Sequence, residues 1–354
     1  MSEPDALRSV HTTSFPHVLN QLGVSLMVTT YQAGKLVIVR ADGDQLNTHF
    51  RAMEKPMGLA LDRGRLAIGT ARYVTEYRNV PAVAAKLPPA GKHDACFVPR
   101  SNHVTGDVDI HEMAWAGDVL WFVNTRFSCL CTLDAVHSFV PRWRPRFVSE
   151  LAPEDRCHLN GMCMGDNQPK YATALGTTDS VGGWRENKAR GGVLLDVTSG
   201  ESILTGLSMP HSPRLYNGNT WLLESGDGSL GTVDVAAGTY SKVAEMPGFT
   251  RGLDFSGKVA FIGLSQVRES AVFSGIPITQ RLSERICGVW AVHIETGQVL
   301  AFLKFEDGVQ EIFAVQVVPN SRFPDLINDD NEIIGTTYVL PDEALKQVPR
   351  ALVK

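Results

Sequence analysis

Cysteine is sparse and scattered: six in 354 residues, at 96, 129, 131, 157, 163 and 287. That is too dilute for a disulfide framework, and neither "CLC" nor "CHLNGMC" has the C-x-x-C spacing of a structural zinc site. The thiols are expected to be reduced and buried as small hydrophobes. No run of 18 apolar residues occurs, and residues 1–24, "MSEPDALRSVHTTSFPHVLNQLGV", lack the apolar centre of a signal peptide. No membrane span and a cytoplasmic location are therefore expected. A basic surplus is missing too. The net charge of −5 argues against a general nucleic-acid binder, which needs cations to neutralise phosphates. Helical periodicity is also scarce, with one short amphipathic stretch near residues 5–21.

What the chain does have is a repeat. "PMGLALDRGRLAIGT", "IHEMAWAGDVLWFVNT", "HLNGMCMGDNQPKYATALGT", "PHSPRLYNGNTWLLES" and "FTRGLDFSGKVAFIGLS" each read as strand, Gly/Asp/Asn turn and strand. "VQEIFAVQVVPN" keeps only a first strand. Aligning these cores puts Met57, His111, Asn160, His211, Arg251 and Glu311 at one position, at intervals of 54, 49, 51, 40 and 60 residues. That is the period of a four-stranded propeller blade with insertions.

Second halves such as "GGVLLDVTSGESILTGL", "SLGTVDVAAGTYSKVAEM" and "CGVWAVHIETGQVLAFLKF" supply further hairpins, and residues 129–148 are a poorer copy. The N-terminal "SLMVTTYQAGKLVIVRADGDQLNTHFR" offers three strands without a first, and "EIFAVQVV" a first strand without successors. Joined, they complete a blade and close the ring. The expected fold is all-β: a six-bladed β-propeller over residues 25–326, with an N-terminal extension (1–24) and a C-terminal segment (327–354). Five or seven blades are the alternative, because "EIIGTTYVL" at 332–340 reads as one more strand.

In a propeller the first strand of each blade lines the channel, and the loops before first strands and between second and third strands share a face. His111, Asn160, His211, Arg251 and Glu311, with His158 two residues before Asn160, should therefore ring the channel mouth. The loops assigned to that face carry Arg72, Arg78, Arg126, Arg185, Lys188, Arg190, Arg268, Arg281 and Arg285. Arginine's planar fork suits carboxylate or phosphate, so an anionic small molecule or peptide side chain is the expected ligand. The alternative is that these cations are solvated or paired with Glu76, Glu186, Glu269 and Glu284.

Three chemistries fit this mouth. His111, His158, His211 and Glu311 are a competent ligand set for divalent zinc, iron or copper, although no H-E-x-x-H motif fixes two ligands at once. In a metal-free lyase or isomerase, Glu311 serves as general base and His158 or His211 as acid. Arg251 and Arg214 then hold the substrate's negative charge, with Arg126, Asn160, Arg185, Gln266, Arg268 and Trp184 as further binding residues. A non-enzymatic propeller that binds a peptide or protein partner on the same face is the third reading. Cys157 beside His158 is no thiolate pair, since neighbours on a strand point apart.

"TTYQAGKL", "NTRFSCL", "LAPEDRCHLNGM", "GGWRENKA", "MPHSPRL", "PGFTRGLDF", "GLSQVRES" and "GVQEIF" together resemble a bacterial family of conserved, predicted β-propeller proteins of unknown function, over roughly residues 14–326. The resemblance implies the propeller and brings no activity with it. It marks the positions inside those strings as where function is expected. His111 lies outside them. Lactonases of the gluconolactonase type share the expected fold but hold calcium with Glu, Asn and Asp where this chain has His and Arg. Virginiamycin B lyase, with its catalytic histidine, is a nearer chemical parallel at the level of fold alone.

Overall fold

A computed structural model describes residues 7–267 and 274–349. Six small antiparallel sheets are arranged around one axis. Counting from the first complete blade, the innermost strands are Leu59–Asp62, Ile110–Ala116, Leu159–Gly165, Pro210–Tyr216, Phe249–Ser256 and Val315–Pro319. The protein is a six-bladed β-propeller. Buried side chains pack between neighbouring blades; Val28 and Val37 of blade 6, for example, meet Phe261 and Val289 of blade 5.

Closure follows the expected route. Val315–Pro319 pairs antiparallel with Val24–Thr30, which continues outward through Lys35–Asp42 and Gln45–Ala52, so blade 6 is stitched from both ends of the chain. Both flanking segments then add to neighbouring blades. Ser9–His11 extends blade 5 along Val299–Phe305, and the helix Ser14–Leu22 buries Phe15 and Leu19 against the same cluster before a left-handed Gly23 (φ 67°) ends it. At the other end Pro324–Leu326 pairs in parallel with Ala95–Val104, the outer strand of blade 1.

Two sequence expectations change. "EIIGTTYVL" contributes no strand: Asn331–Thr336 is a helix, capped by the Asp330 carboxylate, which accepts from Ile333 N. In blade 1 the third strand, Tyr73–Asn79, starts almost at once after the second. The long insertion therefore falls between third and fourth strands and opens on the opposite face, and Arg78 sits within the third strand rather than in a mouth loop. Its Pro, Ala and Gly content hid a strand of Tyr, Val and Thr at its head.

Hydroxyls tie blade to blade at the channel. Thr125 Oγ1 donates to Leu159 O (2.6 Å), Ser265 Oγ to Ile312 O (3.1 Å) and Thr29 Oγ1 to Met57 O (2.6 Å), each reaching the start of the innermost strand of the next blade or the residues just before it. In blades 2 to 5 the ladder between first and second strands is interrupted by a bulge beside the channel-lining residue. Bulges of this kind re-aim a side chain.

Candidate functional site

The anchor positions deduced from the repeat converge. A neck of about 10 Å³ on the axis is lined by His111, Asn160, His211, Arg251 and Phe313 and by residues directly following them. Phe313, not Glu311, is the sixth anchor: Val315 opposite Val28 matches Met113 opposite Phe122 and Leu253 opposite Ile262, two residues after each anchor. The last repeat had too little sequence after it to fix this register. Glu311 stands two positions earlier, where it accepts from the Tyr31 hydroxyl.

Above the neck lies a cavity of about 270 Å³ on the face where the first strands begin. Its lining has two tiers, with Met57, His111, His211 and Arg251 below and Lys55, Asp109, His158, Met209 and Phe249, each two residues earlier, above. Tyr31, Leu175, Trp184 and Arg185 complete the wall. Lys55, Asp109, His158 and Met209 all have left-handed backbones, with φ of 49°, 58°, 50° and 47°. Such non-glycine conformations cost about 1 kcal/mol or more each and collect at functional sites. At Asp109 and Met209 this turns the carbonyl toward the imidazole two residues on.

His111 and His211 are held identically. Nδ1 of His111 lies 3.0 Å from Asp109 O and 2.8 Å from Thr125 Oγ1; Nδ1 of His211 lies 2.9 Å from Met209 O and 3.0 Å from Ser225 Oγ. A carbonyl only accepts, so each Nδ1 carries the proton and each Nε2 presents a lone pair. His111 Nε2 is buried without a hydrogen-bond partner. Burial, followed by the Arg251 charge, pushes both imidazoles well below the usual histidine pKa and keeps them neutral.

His158 sits between them in sequence and stands edge-on to His111 (ring centroids 4.9 Å apart) and against Trp184 (4.5 Å). Its Nδ1 is 3.0 Å from the Asp155 carboxylate, which also accepts from Trp184 Nε1 at 2.9 Å. The result is an imidazole oriented by a carboxylate, with Nε2 left over. Nearby, Lys55 Nζ donates to Asp109 at 3.0 Å. Burial alone would raise the Asp109 carboxyl, but the Lys55 ammonium beside it holds it below the usual range.

Most mouth cations are already matched. Arg72 pairs with Glu54, Arg126 with Asp107, Arg185 with Asp155 and Arg281 with Glu245, while Arg285 donates to backbone carbonyls. Arg251 differs. Among the described residues its guanidinium has neither an ion-pair nor a hydrogen-bond partner; it lies flat over Phe313 (3.7 Å) and near the Tyr31 ring (5.9 Å). Burial lowers its pKa, partly offset by the negative charges of Glu311 and Asp109.

The remaining predicted residues separate. Trp184 and Arg185 line the cavity, whereas Arg126 lines an adjoining groove of about 420 Å³ that shares Asp109 and Arg185 with it. Asn160 is buried in the neck, receiving from Thr173 Oγ1 (2.7 Å) and donating to Pro210 O (3.1 Å), so it braces strands. Arg214 is at the far end of the channel, ion-paired with Glu112 at 2.8 Å in a separate vestibule, because the bulge after His211 turns it away. Gln266 bonds through its backbone to Gln310 O and is not among the cavity residues. Arg268 lies outside the described residues. Among those residues no set of three or more His, Cys, Asp or Glu is grouped as metal ligands are; His111, His158 and His211 share the cavity wall, and Glu311 is engaged by the Tyr31 hydroxyl. All six cysteines are buried and unbridged; burial pushes the Cys157 and Cys163 thiols up to about 12.

Tyr31, Lys55, Asp109, Thr125, Asp155 and Ser225 were not anticipated. Two of them were legible: "IHEMAWAGDVLWFVNT" and "PHSPRLYNGNTWLLES" both place a hydroxyl residue fourteen positions after the histidine. A larger cavity, about 530 Å³, is on the opposite face between blades 5, 6 and 1. Two of its carboxylates are spent on structure: Asp94 accepts from the Ser321 hydroxyl and the Arg322 and Phe323 amides, and Asp254 from the Gln316 side chain and the Val317 amide.

The fold and this mouth define a β-propeller with a polar, histidine-lined cavity at one end of a closed channel. Residues 13–327 match the family described as a domain of unknown function (DUF4915), and the chain belongs to that family. No curated protein matches it. Among solved structures it is similar to a chain of the "Nidogen/Laminin Complex", at 8% identity and a TM-score of 0.53 over 84% of this chain and 99% of that one. It is also similar to a protein of unknown function from Bacteroides caccae, at 10% identity and a TM-score of 0.51 over 83% and 98%. At these identities the likeness speaks to fold alone. Among the described residues no helix is long and apolar enough to cross a membrane.

Proposed function

We propose that the mouth cavity binds a small carboxylate and moves a proton on it, without passing through a metal. The observation that carries this reading is Arg251, a guanidinium on the cavity floor that packs against aromatic rings and has no ion-pair or hydrogen-bond partner among the described residues. An uncompensated cation in a desolvated site is costly unless an anion completes it, and its planar fork matches a carboxylate. The cavity of about 270 Å³ is close to the lower end of small-molecule sites, which span roughly 300–1,000 Å³.

The base is His158. Asp155 holds its Nδ1–H, so Nε2 takes the substrate proton, and the carboxylate stabilises the imidazolium that forms. Arg251 binds the carboxylate and takes up the negative charge that grows on it as the neighbouring C–H bond breaks. A lyase or an isomerase both begin with that step.

Calorimetric titration of the purified chain with small carboxylates tests the binding half. Arg251→Met is expected to weaken binding by about tenfold or more, as for a charge-assisted hydrogen-bonded pair, while Arg251→Lys loses less. In D₂O the bound acid should exchange its α-proton, and His158→Gln should abolish exchange while keeping affinity. Wild-type protein that binds no carboxylate, or Arg251→Met protein that binds as well as wild type, ends the proposal.

A further inference from the structure

Resting on the carboxylate reading above, we infer that the ligand is a hydroxy acid: a carboxylate for Arg251 and at least one hydroxyl donor for Nε2 of His111 or His211. The two imidazoles offer one kind of contact. Each Nδ1–H is fixed by a carbonyl at i−2 and by a Ser or Thr oxygen at i+14, so neither ring can flip its tautomer without losing the carbonyl contact. Thr125 has no hydrogen to spare, having given it to Leu159 O. Both Nε2 atoms are therefore acceptors.

An acceptor selects. A phosphate or second carboxylate oxygen placed against Nε2 would bring lone pair against lone pair in a poorly hydrated site, whereas a hydroxyl hydrogen satisfies it. His111 Nε2 is the sharper observation: the residue is 5% exposed, lines the cavity, and leaves that nitrogen without a partner. Buried polar atoms left unpaired are rare in native folds and point to a group that completes them. Tyr31, Trp184 and Phe249 on the same wall add apolar surface for a short carbon chain.

Matched acids separate the two readings. The full chain is titrated with glycerate against propionate and with 2,3,4-trihydroxybutanoate against butyrate, by calorimetry at one ionic strength. Hydroxylated acids are expected to bind about tenfold or more tightly, the discrimination of a hydrogen bond to a buried acceptor. His211→Phe should reduce that preference while leaving dependence on Arg251. Because His211→Phe strands Met209 O at a cost to folding, ¹⁵N NMR of wild-type protein supplies a second readout: the Nε2 resonances of His111 and His211 should move with trihydroxybutanoate and stay still with butyrate. If both members of each pair bind equally through Arg251 and the Nε2 resonances do not move, the hydroxy-acid inference falls and the carboxylate site stands. If no acid of either kind binds, both fall.

Discussion

His111 and His211 show how much one local device fixes at the level of a single side chain. A left-handed residue at i−2 aims a carbonyl, a hydroxyl at i+14 accepts beside it, and the ring is locked as Nδ1–H. We predict that ¹⁵N spectra show both as Nδ1–H tautomers and neutral as the pH falls through the ordinary histidine value of 6.5. Thr125→Val should cost about 1–3 kcal/mol in urea unfolding, because it leaves Leu159 O buried and unpaired. Sequence reasoning found the histidines because they recur at one blade position. It missed the Asp155 and Tyr31 partnerships because no periodicity links residue 155 to 184, or 31 to 311. Those pairings exist only once loops and ring closure bring distant segments together.

Among elements, the short strand Pro324–Leu326 does more than cover an edge. Its Asp325 accepts from Arg51 at 2.8 Å and lies 4.0 Å from Arg40, 3.5 Å from His49 and 3.4 Å from His93, so one buried carboxylate joins blade 6 to blade 1. Asp325→Asn removes the partner of Arg51 and Arg40, and calorimetry should record a loss of roughly 3 kcal/mol, the low end for breaking a buried pair because Arg51 keeps some solvent. Strand and hairpin elements were largely readable from alternation and turn residues. The exceptions had physical causes: blade 1's third strand was masked by the insertion behind it, and Asn331–Thr336 follows its Asp330 cap rather than the β-branched residues within it.

For the molecule as a whole, closure relies on both ends of the chain. Removing residues 1–23 would strip Ser9–His11 and the Phe15/Leu19 helix from blade 5 and bare the edge of Val299–Phe305. Light scattering is expected to show association of the truncated protein, since an unpaired strand edge templates pairing. Acid should weaken the intact fold in a defined direction. Burial is the largest cause lowering the pKa values of His49, His93, His111 and His211 below 6.5. Above that pH these groups are neutral folded or unfolded and contribute nothing. Below it the unfolded chain binds protons that the fold refuses, so stability drops by up to about 1.4 kcal/mol per pH unit for each histidine. Urea midpoints measured from pH 8 to 5 should fall mainly below 6.5.

The neck of about 10 Å³ carries a final consequence. With Arg251 laid across Phe313 and His111 edged against the same ring, the axis is a blind alley rather than a tunnel. Whatever goes in past Trp184 must back out the same way, so a spent molecule obstructs its successor. The Glu112–Arg214 vestibule on the far side shares no doorway with it.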